Sequence, residues 1–162
     1  MRESVVHHLD PVFNEHSEIL ILGSFPSVAS RKQNFFYGHP RNRFWKVLAA
    51  LFEQEVPQTI EEKKAFLLKN HIAVWDVIHS CEITGSSDAS IRNVVPNDLS
   101  LILNKAPIRK IYANGTTAKR LYDRYCQNET GREAVLLPSS SPANAACDLD
   151  KLIGIWRKAI IE

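Results

Sequence analysis

The stretch EILILGSFPS, residues 18 to 27, decides the fold. Its first six residues form a nearly uninterrupted apolar run, which is typical of a strand buried on both faces of a sheet. Three further runs of this kind are IAVWDVI at 72 to 78, IRKIYAN at 108 to 114 and EAVLLP at 133 to 138. The four runs predict four strands of one buried sheet.

Helical patterns separate these four runs. Apolar spacing, capping residues, a proline and an Asn-Gly pair predict helices over residues 44 to 52, 61 to 69, 97 to 104, 116 to 126 and 149 to 160. Because strands and helices alternate, we predict an α/β fold, a three-layer α/β/α arrangement around a parallel sheet. The length of 162 residues, without linkers or repeats, predicts a single domain over residues 1 to 162.

Cysteine usage and the first residues bear on the cellular compartment. Cys81, Cys126 and Cys147 are odd in number and form no C-x-x-C pair, so neither a disulfide framework nor a zinc site is indicated. Charge and proline interrupt residues 1 to 18 before any apolar run develops, which argues against a signal peptide or membrane span. We therefore expect a cytoplasmic protein, without membrane contact and monomeric.

The positive charge is unevenly distributed. Residues 24 to 52 contain five basic residues and no acidic one, and residues 99 to 122 contain another five basic residues and no acidic one. Since the whole chain carries only +2, the remainder carries −8. Such asymmetry is typical of a protein with an anionic partner, although solvated helix faces explain the second segment equally well.

Polar residues follow each predicted strand, at the sheet edge where α/β proteins bind ligands. GSFPS follows the first run, Asp76 and CEITGSSD follow the second, Asn114 ends the third, and LPSSSPAN (137 to 144) follows the fourth. The glycine-led turn and the serine-rich loop could each present N–H and hydroxyl groups to a phosphate or a base. The alternatives are a plain strand-exit turn and a loop that caps the last helix.

Several common site motifs are absent from the sequence. No G-x-G-x-x-G, P-loop or G-x-S-x-G pattern follows a strand, which disfavours nucleotide cofactors and acyl hydrolysis. The histidines other than His39, among them His7, His8, His71 and His79, lack metal-ligand spacing. We interpret them as surface groups or as groups with local hydrogen bonds.

The order of five motifs resembles the uracil-DNA glycosylase superfamily, and most closely its hypoxanthine-DNA (deoxyinosine) glycosylase branch. These motifs are ILILGSFPS, NFFYGHPRNRFW, VWDVIHSC, YANGTTA and LPSSSPAN, which extend from about Val12 to the last helix. HPRNRFW is the most specific, since mismatch-specific uracil glycosylases carry a similar HPANRFW. The resemblance implies a four-stranded parallel sheet between helices, no metal and no cofactor, and DNA containing deaminated bases as the partner.

Two positions depart from the pattern of the uracil-cleaving relatives. Phe25 replaces the Asp or Asn often found third in the first motif, and Leu137 replaces a His or Asn. We therefore predict a monofunctional glycosylase of base excision repair that flips out hypoxanthine and hydrolyses its N-glycosidic bond. The alternatives are a mismatch-specific uracil-DNA glycosylase and a damaged-DNA-binding module without catalytic activity.

The resemblance also implies roles for particular residues. Asp76 falls where uracil-cleaving relatives commonly have the asparagine that reads the base edge. Asn42 is the first choice for catalysis, because its amide can hold water with its oxygen or donate to the base with its nitrogen. Arg41 and Arg43 suit phosphate or local backbone contacts better than proton abstraction. The expected base-binding residues are Gly23, Ser24, Phe25, Phe36, Tyr37 and Asn114, and the expected DNA-binding residues are His39, Arg41, Ser139, Ser140, Ser141 and Asn144.

Overall fold

The computed structural model describes residues 2 to 162 and contains two sheets. The strands are β1 (Arg2–Val6), β2 (Ile19–Gly23), β3 (Ile72–Asp76), β4 (Ile78–Thr84), β5 (Arg92–Pro96), β6 (Lys110–Asn114) and β7 (Ala134–Leu137). One sheet has four parallel strands in the order β3-β2-β6-β7. Each of these strands lies within one of the four predicted runs, so the α/β prediction with a four-stranded parallel sheet is confirmed.

The second sheet is antiparallel, has the order β1-β4-β5, and was not predicted. The predicted strand at 72 to 78 is wrong in its last residues, because β3 ends at Asp76 and Ile78 begins β4. The Asn97 side chain fixes this junction by donating to the carbonyls of Asp76 (2.9 Å) and Ile78 (3.1 Å). The two sheets are therefore covalently continuous beside Asp76.

Seven α-helices accompany the sheets in the described part of the chain. They are α1 (Val28–Gln33), α2 (Phe44–Leu51), α3 (Ile60–Lys69), α4 (Ser100–Leu103), α5 (Thr116–Tyr125), α6 (Gln127–Thr130) and α7 (Leu149–Ile160). Four of the predicted helices are confirmed to within one residue at each end, and the prediction for 97 to 104 contracts to α4 because Asn97 is engaged at the sheet junction. Helix α1 was missed because its polar sequence, VASRKQ, has no apolar periodicity.

The core lies around β2 and between α2 and α7. Every residue of β2 is buried, as expected for a strand in the middle of a covered parallel sheet. Trp156 of α7 is fully buried, packs edge to face against Phe44 of α2 (ring centroids 6.0 Å apart), and donates through Nε1 to the Pro138 carbonyl (3.0 Å). This side chain thus connects the core to the start of the loop that follows β7.

Helix length and hydropathy also bear on membrane insertion. Between residues 2 and 162, no helix combines the length and the apolar character needed to cross a bilayer.

Replacing Trp156 should test the packing of α2 against α7. Trp156→Ala is expected to lower the free energy of unfolding by about 3 to 5 kcal/mol, because it leaves a large cavity in a tightly packed core. Urea unfolding followed by circular dichroism measures the change. The matched control is Ile155→Ala, since Ile155 is an exposed neighbour on the same helix. Equal, small effects of the two substitutions would contradict this packing.

Candidate active site

A cavity of about 360 Å³, called here the strand-end cavity, opens beyond the carboxyl ends of β2, β3 and β6. Eleven of the fourteen predicted site residues line it: Gly23, Ser24, Phe25, Phe36, Tyr37, Asn42, Asp76, Asn114, Ser139, Ser140 and Ser141. They converge because parallel strands end at the same sheet edge. A larger cavity of about 620 Å³, between α4 and the junction of α5 and α6, contains none of them.

The other three predicted residues lie outside this cavity. Arg41 is exposed, and its backbone N–H donates to Nδ1 of His39 (3.1 Å). Asn144 donates through its side chain to the Ser139 carbonyl (3.0 Å) and lines an adjoining cavity. Contacts of these three residues with DNA remain a prediction.

Asp76 lies in the wall of the strand-end cavity and is only 3% exposed. His7 Nε2 lies 2.9 Å from Asp76 Oδ2, and His7 Nδ1 accepts a hydrogen bond from the Leu9 N–H (3.2 Å). Because Nδ1 is an acceptor, the ring proton is assigned to Nε2, which donates to the carboxylate. The buried carboxylate therefore has the partner that it requires.

The interpretation of His7 as a surface or locally bonded residue was incomplete, because its local bond with Leu9 is accompanied by a buried, long-range one. His7 is buried, and its partner is 69 residues away in the sequence. His8, His71 and His79 are exposed, in agreement with the interpretation. The contact of His7 with Asp76 was missed because it depends on β1, a strand of the unpredicted sheet.

The second oxygen of Asp76 converges with the Tyr37 hydroxyl over Gly23. A Cβ atom built on Gly23 would lie 2.4 Å from Asp76 Oδ1 and 3.0 Å from Tyr37 Oη. No bulkier residue fits at this position without displacing one of the two groups. The bare glycine thus brings an acceptor and a hydroxyl together at one point of the cavity.

The Tyr37 hydroxyl is buried and has no hydrogen-bond partner within residues 2 to 162. Burial, and then the charge of Asp76, raise the pKa of Tyr37 far above its usual range, and the adjacent Asn114 side chain opposes this shift. The ring stacks on Phe44 (centroids 3.9 Å apart, planes at 16°), and the backbone φ of 51° is rare for an aromatic residue. The chain therefore holds a protonated phenol, under backbone strain, in a residue that lines the strand-end cavity, and its hydrogen bond has no acceptor within residues 2 to 162.

Ser140 connects two predicted site residues, Asn42 and Asn114. Its hydroxyl donates to Asn42 Oδ1 (2.9 Å) and accepts from Asn114 Nδ2 (3.0 Å), while its N–H donates to Asn114 Oδ1 (3.0 Å). Ser140 is fully buried, so the predicted contact of its hydroxyl with DNA is corrected to an internal, positioning role. The adjacent Ser139 and Ser141 are partly exposed.

The hydrogen bonds of Asn42 determine which of its atoms faces a ligand. Its Oδ1 accepts from the Phe44 N–H (3.0 Å) as well as from Ser140. A backbone N–H can only donate, so this bond fixes the amide orientation, and the two bonds together occupy both lone pairs of the oxygen. Asn42 therefore has its Nδ2 donors, and not its oxygen, available in the cavity.

Arg43 fixes the loop that carries the serines. Its guanidinium donates to the carbonyls of Ser141 (2.7 Å), Asn144 (3.2 Å) and Cys147, and its Nε donates to the Ser140 carbonyl (3.3 Å). These contacts agree with the expected backbone role of the arginine, although the partners are about 100 residues away and not local. The loop after β7 is therefore held against the start of α2.

Part of the cavity wall was missed by sequence reasoning. It includes Ser86, Ser87 and Asp88, which lie in the connection between β4 and β5. The Ser24 hydroxyl donates to Asp88 Oδ1 (3.2 Å), and burial raises the pKa of the Asp88 carboxyl above its usual value. The only sequence signal was the polar segment CEITGSSD, whose fold was not recognised.

No group of three His, Cys, Asp or Glu side chains in the described chain is arranged to hold a metal ion.

Replacing Gly23 should test the close approach of Asp76 and Tyr37. Gly23→Ala is expected to lower the free energy of unfolding by about 1 to 3 kcal/mol, because its Cβ overlaps a buried carboxylate oxygen. The control is Gly154→Ala in α7, where a Cβ meets no atom within 4 Å and should stabilise the helix by about 0.5 to 1 kcal/mol. Urea unfolding measures both. A stabilising effect of Gly23→Ala would contradict the described geometry.

Comparisons with known proteins agree with this architecture. A model of the Uracil DNA glycosylase superfamily matches residues 11–159. The chain is 33% identical over 135 residues to a protein from Methanosarcina barkeri named hypoxanthine DNA glycosylase, covering 83% of this chain and 85% of that protein. A protein of the same name from Methanosarcina acetivorans is 38% identical over 135 residues, which are 82% of this chain and 84% of that protein.

A solved structure resembles the chain over nearly its whole length. It is the solution NMR structure of a protein from Methanosarcina acetivorans described as a candidate uracil DNA glycosylase, with a TM-score of 0.78 and 31% identity over 98% of both chains. The family model and the solved structure thus each match nearly all of the chain. The chain belongs to the uracil DNA glycosylase superfamily.

Proposed function

We propose that this DNA glycosylase releases hypoxanthine from deoxyinosine in DNA by hydrolysing the N-glycosidic bond. The observation that carries the proposal is the pair of groups over Gly23, an acceptor at Asp76 Oδ1 and a donor at the Tyr37 hydroxyl. The names of the two Methanosarcina relatives support the same substrate.

The pair over Gly23 is complementary to one edge of hypoxanthine. This base presents an N1–H donor directly beside its O6 acceptor. A carboxylate oxygen accepts from N1–H, and a phenol donates to O6. Adenine presents the reverse pattern, an acceptor at N1 beside an amino group, so its N1 would face the carboxylate lone pairs without a proton between them. The site therefore favours the deaminated purine over its parent.

Two other bases share the donor and acceptor pattern of hypoxanthine. Guanine presents N1–H beside O6, but in its normal pair it costs more to flip out than a mismatched or damaged base, by up to a few kcal/mol. Uracil presents N3–H beside O4, and removal of uracil from mismatches is therefore the second candidate function. Phe25 and Phe36 in the cavity wall can stack on a purine, at about 1 to 3 kcal/mol per base.

Asn42 is suited to stabilise the leaving base. Cleavage of the N-glycosidic bond leaves its electron pair on the base, while the sugar develops oxocarbenium character. Because the Asn42 oxygen is occupied by Phe44 and Ser140, the Nδ2 group can donate to the developing negative charge. Of the two roles expected from the sequence, donation to the base fits this geometry and orientation of water by the oxygen does not.

The proposed contacts with the DNA backbone lie outside the strand-end cavity or at its rim. Exposed Arg41 and its neighbour His39 are proposed to contact phosphates, as are the partly exposed Ser139, Ser141 and Asn144. Hydroxyl, amide and guanidinium donors are the groups that position a protein on the phosphate backbone. Removal of a deaminated base by such an enzyme is the first step of base excision repair.

Release of free base from defined duplexes tests the proposed function. End-labelled duplexes with a single inosine, uracil, xanthine or mismatched thymine are incubated with the protein, then cleaved with alkali and resolved on a gel. We expect the fastest cleavage at inosine. Fastest cleavage at uracil would support the second candidate. No cleavage at any base, with retained binding, would indicate a damage-binding module and contradict the proposal.

Asn42→Ala should keep DNA binding but slow the single-turnover release of hypoxanthine by about 10²-fold or more, because it removes a preorganised donor to the leaving base. Anisotropy of a labelled duplex measures the binding. Asn128→Ala, at an exposed position in α6, is the control and should match the wild type. Near-wild-type cleavage by Asn42→Ala would remove Asn42 from the mechanism.

Asp76→Asn should replace the hydrogen-bond acceptor that the protein presents to the base with a donor. His7 Nε2–H requires an acceptor, so the new amide oxygen should face His7 and the amide nitrogen should face the cavity. A donor would then oppose N1–H of hypoxanthine, and equally N3–H of uracil, so the single-turnover rate of hypoxanthine release is expected to fall by about tenfold or more. The gel assay above measures this rate, with Asp150→Asn, exposed on α7, as the control. A rate equal to that of the wild type would exclude edge reading by Asp76.

A further inference from the structure

Hydrolysis releases a proton from the attacking water, and neither the base-binding residues nor Asn42 is free to accept it. Phe25 is apolar, and the Asn42 oxygen already accepts two hydrogen bonds. Asp76 uses Oδ2 for His7, and its Oδ1 lies against Gly23 at the end of β2. Each of these positions lies where the base would be bound and read.

Asp88 is the second carboxylate that lines the strand-end cavity. It also lines the adjoining cavity of about 570 Å³, which contains Gly115 and Thr117 at the start of α5. The Ser24 hydroxyl donates to Asp88 Oδ1 and so orients the side chain. Asp88 therefore lies at the border between two cavities, on a turn between β4 and β5 that none of the superfamily motifs includes.

Asp88 lies closer to the opening of the strand-end cavity than Asp76 does. Asp76 is almost completely buried at the sheet edge, whereas Asp88 is an exposed residue as a whole, although neighbouring protein atoms lie close enough to its carboxyl to desolvate it. A flipped nucleotide enters base first, so its sugar follows on the side of the opening. With the base edge at the buried Asp76, the sugar would lie on the exposed side of the cavity, which is the side of Asp88.

The charged surroundings of Asp88 suit a proton acceptor. Burial raises the pKa of its carboxyl, and the charge of Asp76 on β3 adds to this shift. The hydrogen bond from Ser24, after β2, opposes it, as do the nearby Thr117 hydroxyl on α5 and the charge of Arg120 on the same helix. A carboxylate with a raised pKa is a stronger base than an ordinary one.

We propose that Asp88 is a catalytic residue that accepts the proton from the water attacking C1′. This inference rests on the proposed function. The water oxygen forms a bond to C1′ as the bond from C1′ to N9 breaks, and the electron pair of that bond remains on the base. The Asp88 carboxylate takes one proton from the water, and the departing base gains one proton from solvent or from Asp88. The products are free hypoxanthine and a sugar with a hydroxyl at C1′.

The test is the single-turnover rate of hypoxanthine release by Asp88→Asn, which keeps the size and the Ser24 hydrogen bond of the side chain but is not a base. We expect a loss of about 10²-fold or more, the usual contribution of general base catalysis. Duplex affinity, measured by anisotropy, should not fall. Asp98→Asn is the control, because Asp98 is an exposed aspartate outside the strand-end cavity.

The pH dependence gives a second readout, which a purely structural role would not affect. The base acts in its deprotonated form, so the wild-type rate should rise as the pH rises through the Asp88 pKa and then level off. Because that pKa is raised, the midpoint should lie above the ordinary carboxylate value of 3.8. Asp88→Asn should lose this rising limb. Ser24→Ala, which removes the orienting hydroxyl, should show a smaller loss of rate and keep the limb.

Several outcomes would overturn the proposal. One is a rate for Asp88→Asn within about threefold of the wild type, and another is the same rising limb in both proteins. If Asp88→Asn does not fold, a wild-type profile without a rising limb would also overturn it. Should the wild type release uracil and not hypoxanthine, the proposed function fails, and the same comparison on uracil still decides the role of Asp88.

Discussion

The hydrogen bond between His7 Nε2 and Asp76 Oδ2 is the interaction on which the site depends. A carboxylate at the end of a buried strand costs several kcal/mol unless a donor satisfies it. His7 supplies this donor from the residue after β1, and the Leu9 N–H sets which ring nitrogen carries the proton. Asp76 Oδ2 is therefore hydrogen-bonded within the protein, and Asp76 Oδ1 is left to accept from a ligand.

The need of Asp76 for a buried partner gives the second, antiparallel sheet its role. Strand β1 pairs with β4, and β4 follows β3 with only Val77 between them. The antiparallel sheet therefore brings His7 to the carboxyl end of the parallel sheet. The connection between β4 and β5 also completes the cavity wall with Asp88. The antiparallel sheet thus provides two features that lie outside the superfamily motifs. These are His7, the partner of Asp76, and the position of Asp88.

The sequence predicts the parallel sheet well, because its four strands are apolar on both faces and are followed by polar residues. It places most of the cavity residues for the same reason, since the ends of parallel strands must meet at one edge. The antiparallel strands escape prediction because their alternation is weak: β1 is mostly exposed and β5 has no buried residue. His7 and Asp88 depend on those strands, so their contacts could not be read from local patterns.

Asn42 shows a different limit of sequence reasoning. The motif around it identifies the residue, but an amide has two chemically opposite ends. Which end faces the ligand depends on the Phe44 N–H in the next helix and on Ser140, 98 residues away. Tyr37 is similar, because the position of its hydroxyl beside Gly23 depends on a left-handed backbone conformation that its residue type does not predict.

The central claim is that a flipped hypoxanthine is read at Gly23 by Asp76 and Tyr37. The most direct measurement is a crystal structure of the protein bound to a duplex with a non-cleavable 2′-fluorinated deoxyinosine. The account predicts N1 within about 3.2 Å of Asp76 Oδ1 and O6 within the same distance of the Tyr37 hydroxyl. A base bound in the strand-end cavity with its N1 edge turned away from both groups would contradict it.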